Sequence, residues 1–179
     1  GDGDHGITME IGWKAALALV ERTDHTATIS ELCEGIGQAF LDAVGASVGP
    51  LYASGFNAAG EAVGDRLNLD ARAMIAWLDG MAQGITARGG AAVGDKTMVD
   101  AWKPAIAAAK IRFEQGASVG DCLMAGAQGA STGANATTQM QSNRGRSKKL
   151  GKRSIGHKDP GAASAAIMIT AWAETVQSL

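Results

Sequence analysis

The sequence predicts an all-α protein. Three observations predict this class: alanine and glycine are abundant, aromatic residues make up only 4% of the 179 residues, and no run of β-branched residues alternates with polar ones. Apolar residues instead recur every three or four positions, as they do along one face of a helix. We therefore expect helices that pack closely on small side chains and run antiparallel where short links join them.

About seven helices follow from the spacing of the apolar residues. The inner faces of four of them are, in order along the chain, Met9, Trp13, Leu17 and Val20; Leu32, Ile36, Phe40 and Val44; Met74, Leu78, Met81 and Ile85; and Trp102, Ile106, Ala109 and Phe113. A further helix is expected over about 51–64, another over about 119–136, and the last from about residue 161 onward. Pro104 lies near the start of its helix, where it is tolerated or bends the helix.

Size and charge exclude several classes of protein. A chain of 179 residues with 46% hydrophobic content can bury one core, so we expect a single domain over residues 1–179. The net charge of −2 provides no basic field for nucleic acid or an anionic membrane, and no apolar run reaches the length of about 18 residues that spans a bilayer. Cys33 and Cys122 lie far apart and are interpreted as buried thiols. A soluble, cytoplasmic protein without nucleic-acid or membrane partners is expected.

The glycine-rich and charged loops are predicted at one end of the helices. Because antiparallel helices alternate the end at which they start, the polar turns 22–29, 65–70 and 114–118 fall at one end. The opposite end collects GDGDHG (1–6), GASVGP (45–50), RGGAAVGDKTM (88–98) and the segment 137–161. Helix N-termini present free N–H groups and the positive end of the dipole, so their convergence there predicts an anion site.

The opening GDGDHG combines two carboxylates with glycines, which have no side chain and leave the backbone accessible. Asp2 and Asp4 are both able to reach one hard cation, which in turn bridges phosphates. Without a cation, like charges about 4 Å apart repel by about 1 kcal/mol in water and about 4 kcal/mol at a partly shielded site. The pattern therefore predicts a Mg²⁺-polyphosphate clamp. The same glycines also fit a dinucleotide-binding pattern, but that pattern requires a preceding strand, which the sequence does not predict.

A basic run lies within NRGRSKKLGKRSIGHKDPG (143–161). Its cationic residues are Arg144, Arg146, Lys148, Lys149, Lys152 and Arg153. Such a run is usually a solvated loop or a nucleic-acid contact, and the acidic total charge and lack of interleaved aromatic residues disfavour nucleic acid. At the metal end it would fold over a phosphate as a lid, with one arginine forking onto the oxygens. His5 could bond a phosphate or orient a carboxylate, and His157 stays open between loop scaffold and site.

Three motifs together resemble the nucleotide-binding L subunit, or L domain, of dihydroxyacetone kinases. They are GDGDHG before a helix, GDKTM followed by a helix with W-x-P (Asp95 to Pro104), and GRSKKLGKRSIGHKDPGAAS (145–164). The resemblance covers nearly the whole chain. It implies an eight-helix antiparallel up-and-down barrel, with about seven helices present here, that holds ADP or ATP at one end through two Mg²⁺ ions. It also implies a separate K subunit or domain, which binds the ketose covalently through its own histidine.

The resemblance also implies the site residues. Asp2 and Asp4 would be the metal ligands. The nucleotide-binding positions would be His5, Gly6, Ile7, Thr8, Ser47, Val48, Gly89, Met98, Arg146, Asp159, Pro160 and Gly161. Arg146 is also the catalytic candidate, because it would cover the phosphates.

This chain departs from the family pattern at several points. The pattern begins with one more helix and a third acidic metal ligand before GDGDHG, so we expect that helix to be missing from a truncated chain. Val48 stands where the common GGASGP pattern has a serine, which leaves backbone N–H contacts at that position. Thr8 stands where asparagine is common.

The predicted function is that of a phosphotransferase component of the glycerone-kinase type. It would supply charge neutralisation and in-line positioning rather than a nucleophile. Either ATP donates directly, or a fixed ADP is rephosphorylated by a phosphotransferase-system partner. The ketose is dihydroxyacetone or a four-carbon ketose such as erythrulose. Two alternatives stay open: a non-enzymatic nucleotide-bound subunit that docks on a transcription regulator, and the nucleotide-binding domain of a protein resembling fatty acid kinase.

Overall fold

The computed structural model describes residues 3–45 and 47–178. These residues form seven α-helices and two 3-10 segments, with no β-strand among them. The helices are α1 (His5–Val20), α2 (Ile29–Ala43), α3 (Val48–Val63), α4 (Ala71–Gly89), α5 (Val99–Glu114), α6 (Val119–Ala136) and α7 (Pro160–Gln177), and the 3-10 segments are Thr137–Gln139 and Arg146–Ser154. The all-α prediction is confirmed. Asp2, a predicted metal ligand, lies outside the described residues.

The chain divides into two compact units. The first unit is Asp4–Gly90 and contains α1 to α4. The second unit comprises residues 91–178 with Gly3, and contains α5 to α7 and both 3-10 segments. The single-domain organisation therefore stays a prediction.

In the first unit, glycines set the packing of α3 against α4. A Cβ on Gly80 would stand 2.6 Å from the carbonyl oxygen of Ala58, and a Cβ on Gly84 would overlap the carbonyl oxygen of Ser54. The contact moves backward along α3 as it moves forward along α4, so the two helices run antiparallel. Side chains this small allow the two backbones to approach closely.

Aromatic side chains fill the core of the first unit. Phe40 and Tyr52 are fully buried, and the ring of Trp13 meets that of Phe40 edge-on at a centroid distance of 5.3 Å. The Nε1–H of Trp77 donates to the Sγ atom of Cys33 at 3.2 Å. Burial raises the pKa of the Cys33 thiol, so this cysteine is the buried thiol that the sequence predicts.

The predicted inner face of α1 is wrong at two positions. Leu17 and Val20 are 57% and 41% exposed, and the buried residues are Met9, Gly12 and Ala16. Gly12 explains the difference, because a Cβ at that position would overlap the Phe40 ring. Because the Phe40 ring lies directly against the backbone of Gly12, the side of α1 that carries Gly12 is buried. The side that carries Leu17 is exposed.

In the second unit, α6 packs closest on α5 around Pro104. This proline lies inside α5 and has no N–H, so the carbonyl of Asp100 lacks the usual donor one turn later. A Cβ on Gly133 would overlap that Asp100 carbonyl oxygen, and a Cβ on Gly129 would stand 2.5 Å from the Pro104 oxygen. The two helices therefore run antiparallel in near backbone contact. Cys122, which lies in α6, is fully buried, as predicted.

Candidate functional site

The start of α1 carries the first group of predicted site residues. Asp4 occupies the N-cap position without a side-chain capping bond, and the Thr8 hydroxyl donates to the Asp4 carbonyl oxygen at 3.0 Å. Gly6 and Ile7 are exposed in the first turn. Burial lowers the pKa of His5, and the Asp4 carboxylate opposes that shift. An imidazole with a lowered pKa is neutral at physiological pH and can donate or accept a hydrogen bond.

The start of α3 lies at the same end of the first unit as the end of α4. Ser47 is the N-cap residue of α3 and makes no side-chain capping bond, whereas Val48 is buried. Gly89 is the last residue of α4, and a Cβ there would stand 3.0 Å from the Leu51 side chain in the first turn of α3. Three predicted nucleotide-binding positions, Ser47, Val48 and Gly89, are thus brought close together.

The helix starts differ in how they are capped. Side chains that accept a backbone N–H begin α2, α4, α6 and α7, and these are Thr28, Asp70, Ser118 and Asp159. In the described parts of the chain, α1, α3 and α5 begin without a side-chain capping bond, at Asp4, Ser47 and Met98. In α5 the first-turn N–H groups already have acceptors, because the Val99 N–H donates to Thr97 Oγ1 at 3.2 Å and the Asp100 N–H donates to the Thr97 carbonyl oxygen at 3.0 Å. At α1 and α3 no N-cap side chain accepts the first-turn N–H groups, which leaves them for an anion. All three of these starts belong to loops that the sequence assigns to nucleotide binding.

In the second unit, Lys96 organises the glycine-rich loop before α5. Its side chain is 4% exposed, and its backbone has a φ of 61°, the left-handed conformation that lysine seldom adopts. The Nζ atom donates to four backbone carbonyl oxygens, those of Thr137 (2.8 Å), Met140 (3.1 Å), Ser154 (2.6 Å) and His157 (2.5 Å). Lys96 therefore connects the GDKTM motif to both ends of the segment that includes the basic run.

Two aspartates hold the loop around Lys96. Asp100 is 2% exposed, and its carboxylate accepts the backbone N–H groups of Gly94 at 2.6 Å and Thr97 at 2.8 Å. Asp95 points outward, where its carboxylate accepts from the Ala92 N–H at 3.0 Å and lies 3.3 Å from the Nε atom of Arg144. These hydrogen bonds lower the pKa of Asp95, with the Ala92 N–H as the main cause. The loop is thereby fixed on both sides of Lys96.

The start of α7 meets the start of α5. The Asp159 carboxylate caps α7 by accepting the Ala162 N–H at 2.8 Å, and Pro160, with no N–H to satisfy, is the first helical residue. A Cβ on Gly161 would stand 3.5 Å from the backbone nitrogen of Met98. The predicted site residues Met98, Asp159, Pro160 and Gly161 therefore lie together in this unit.

Charge and burial act in opposite directions on Asp159. Burial raises the pKa of its carboxyl group, and the Asp100 carboxylate adds to that rise. The Ala162 N–H and the Lys96 ammonium oppose it. Asp159 is thus a partly buried acid whose charged form is favoured first by the Ala162 N–H and then by the Lys96 ammonium.

Arg146 begins the 3-10 segment Arg146–Ser154. It follows Gly145, which has a φ of 61°, and it is exposed. The lysines that follow, Lys148, Lys149 and Lys152, are exposed as well. The segment that includes the basic run is therefore held by hydrogen bonds from Lys96 at both of its ends, and the cationic side chains between them are exposed. Its role as a phosphate lid stays a prediction.

One of the two predicted metal ligands lies within the described residues. Asp4 is described, but its predicted co-ligand Asp2 is not. Among residues 3–45 and 47–178, no group of three or more His, Cys, Asp or Glu side chains is placed to hold a metal ion. No helix in the same ranges is long and apolar enough to cross a membrane.

Among the described residues, five buried polar ones in this region were not singled out individually by the sequence: Lys96, Asp100, Thr137, Ser142 and Ser154. Thr137 is fully buried, and its hydroxyl donates to the Ala134 carbonyl oxygen at 2.6 Å and accepts the Asp159 N–H at 2.9 Å. The sequence signals were the GDKTM motif, which contains Lys96, and the charged pair Asp95 and Lys96 inside a glycine-rich loop. Such a pair is usually solvated, and the burial of Lys96 depends on carbonyl groups that lie 41 to 61 residues later.

Comparison with known proteins places the chain in a family. The DAK2 domain model matches residues 1–174. The chain belongs to the DAK2 domain family. It is 36% identical over 171 residues to the PEP-dependent dihydroxyacetone kinase, ADP-binding subunit DhaL, of Escherichia coli (strain K12), a match that covers 94% of this chain and 80% of that protein. It is also 36% identical to the L-erythrulose 1-kinase of Mycolicibacterium smegmatis, covering 97% of this chain and 30% of that enzyme.

A solved structure of a dihydroxyacetone kinase is similar to this chain in fold. The crystal structure of the dihydroxyacetone kinase from C. freundii in complex with AMP-PNP and Mg²⁺ matches with a TM-score of 0.73 at 27% identity. The match covers 98% of this chain and 28% of that one, so this chain spans less than a third of the length of the solved kinase. The predicted resemblance to dihydroxyacetone kinase L subunits, the fold class and the kinase-type phosphotransferase class are confirmed at the level of the family.

Proposed function

We propose that this DAK2 chain is the nucleotide-binding component of a short-chain ketose kinase. It would hold ADP or ATP with Mg²⁺ and donate the terminal phosphoryl group to a ketose on a partner K subunit or domain. The observation that carries the proposal is the match to an ADP-binding subunit DhaL, which includes 94% of this chain and 80% of that subunit. The starts of α1 and α3, which have no side-chain capping bond, support it, because they supply backbone N–H donors for phosphate oxygens.

We infer that Asp2 and Asp4 hold the magnesium, with two ions bound per nucleotide. The donor chemistry fits, because carboxylate oxygens in a glycine loop are ligands that Mg²⁺ prefers, and the Asp4 side chain is not used to cap α1. When bound, Mg²⁺ neutralises phosphate charge and aligns the phosphates for in-line transfer.

The remaining nucleotide contacts fall to the other predicted positions. His5 and Thr8 lie beside the phosphates, and the backbone N–H groups at Ser47 and Val48 bind phosphate oxygens. Gly89 and Met98 would each contact the nucleoside. The residues that close over the phosphates are Arg146, Asp159, Pro160 and Gly161. Arg146 supplies a planar cation that can fork onto two oxygens, which no backbone donor does.

Addition of Mg²⁺-ADP to protein from which bound nucleotide has been removed is expected to stabilise it against heat. At 100 times the Kd, ligand binding adds about 2.7 kcal/mol to the free energy of unfolding, which corresponds to a Tm increase of about 5–10 °C for a chain of this size. Differential scanning fluorimetry with Mg²⁺-ADP, with ADP plus EDTA and with Mg²⁺ alone measures this shift. A Tm that is the same in all three conditions contradicts nucleotide binding.

The phosphoryl donor is a separate question. We propose a fixed ADP cofactor, rephosphorylated by a phosphotransferase-system subunit, because the E. coli relative is named as PEP-dependent. Native mass spectrometry of the freshly purified protein is then expected to show bound ADP with two magnesium ions. An empty site that ATP fills readily would instead favour direct transfer from ATP, as in a self-contained kinase.

A further inference from the structure

A buried lysine ammonium is costly unless its N–H groups are all hydrogen-bonded. Lys96 has three such groups and faces four carbonyl oxygens within 3.1 Å, so its bonding capacity is filled and at least one N–H is shared. Burial lowers the pKa of Lys96, and the neighbouring Asp159 carboxylate opposes that shift by favouring the charged form. The ammonium is therefore held in one position by backbone oxygens rather than by a single salt-bridge partner.

The segment that supplies these oxygens has little regular structure of its own. It runs from Thr137 to His157 and contains only short 3-10 segments, the second of which is interrupted at Gly151, where φ is 54°. Hydrogen bonds in 3-10 helices have poorer geometry than those in α-helices, and the clustered cations of this segment repel one another. Its conformation therefore depends on contacts to the rest of the unit.

Lys96 reaches both ends of that segment. Two acceptors, Thr137 and Met140, precede Arg146, and the other two, Ser154 and His157, follow it. The chain between Met140 and Ser154 is thus closed into a loop at the Lys96 ammonium. The left-handed backbone of Lys96 is strained, and the hydrogen bonds from the Gly94 and Thr97 N–H groups to the Asp100 carboxylate hold the loop in that conformation.

We propose that Lys96 is a positioning residue, which closes the basic segment around its ammonium and thereby holds Arg146 in place for the nucleotide phosphates. The part that concerns phosphates rests on the proposed function. The part that concerns the segment does not, since it follows from hydrogen bonds between residues of this chain. Two smaller contacts assist: the Asn143 N–H donates to the Asp95 carbonyl oxygen at 3.1 Å, and the Ser142 N–H donates to Ser154 Oγ at 2.8 Å.

Limited trypsin digestion of the nucleotide-free protein tests the closure, because trypsin cleaves after the basic residues of the segment. Lys96→Met retains the length of the side chain and removes the charge and all three donors. We expect cleavage between residues 144 and 153 to be at least about tenfold faster than in the wild type, with unchanged helical circular dichroism. Lys103→Met, a half-buried lysine of α5 in the same unit, is the matched control and should digest at the wild-type rate.

A cleavage rate within twofold of the wild type in Lys96→Met overturns the proposal. If Lys96→Met does not fold, Lys96→Gln replaces it, because the amide keeps two donors. It is expected to be cleaved at a rate between those of the wild type and a freely accessible loop. A wild-type rate in Lys96→Gln would equally overturn the proposal.

A double-mutant cycle with Arg146 tests the link to the nucleotide. By calorimetric titration with Mg²⁺-ADP, Lys96→Met should weaken binding about tenfold in the wild-type background and less than about threefold when Arg146 is already alanine. Equal losses in both backgrounds would overturn the positioning of Arg146. A wild-type protein that does not bind Mg²⁺-ADP would refute the proposed function instead, and the trypsin experiment would still decide whether Lys96 closes the segment.

Discussion

Replacement of Asp4 by alanine is expected to abolish the magnesium-dependent part of ADP binding while the helices stay intact. The Asp4 side chain makes no capping bond to α1, and the Thr8 hydroxyl binds the Asp4 carbonyl, which alanine retains. The helix start therefore loses no cap. Loss of a group in the outer shell of a metal typically costs about 10–100-fold in affinity, so loss of a ligand should cost at least about 100-fold.

Isothermal titration with ADP in the presence of Mg²⁺ and of EDTA measures this effect. Glu10→Gln is the matched control, because Glu10 is an exposed acid on the same helix that pairs only locally, with Lys14 at 2.6 Å. This control should bind Mg²⁺-ADP as the wild type does. Tight, metal-dependent ADP binding by Asp4→Ala would refute the assignment of Asp4 as a metal ligand.

Gly133→Ala is expected to cause a large loss of stability. An added Cβ would overlap the carbonyl oxygen of Asp100 and stand 2.9 Å from the Pro104 ring. Neither group can rotate away, since one is backbone and the other is a closed ring. Insertion of a methyl group into a packed core costs about 1–3 kcal/mol, and here the cost should reach or exceed about 3 kcal/mol because α6 must move away from α5.

Urea denaturation followed by circular dichroism measures the change in the free energy of unfolding. Gly126→Ala is the matched control on the same helix, because its Cβ would stand 3.4 Å from the Ala105 oxygen, an ordinary contact distance. That variant should gain about 0.5–1 kcal/mol from the better helix propensity of alanine. Equal effects at the two positions would contradict the close backbone approach at Gly133.

Helix positions followed from the sequence with small errors. The helix predicted over about 119–136 is observed as Val119–Ala136, and the one predicted over about 51–64 is observed as Val48–Val63. Helix ends were predictable because glycine, serine and aspartate at the boundaries have local conformational preferences. Which face of a helix is buried was less predictable. In α1 the exposure of Leu17 shows that the neighbouring ring, rather than the size of the leucine, selected the face.

The residues of the candidate site also differ in whether the sequence could identify them. Short motifs identified Asp4, Arg146 and Asp159 as candidates, because their chemistry and their neighbours in the chain are visible in the sequence. Lys96 was not identified, since its partners are carbonyl groups and any residue type could supply them. No pattern of side chains in the sequence therefore indicates such a contact.

By itself the sequence determined the all-α class, the approximate helix boundaries and the family whose motifs it carries, because these depend on periodicity and on short runs of residues. Only the tertiary structure decided that a lysine of the GDKTM loop is buried among four carbonyl groups, and that glycine contacts set the distance between helices. Both depend on backbone atoms from distant parts of the chain, and backbone atoms are the same in every residue.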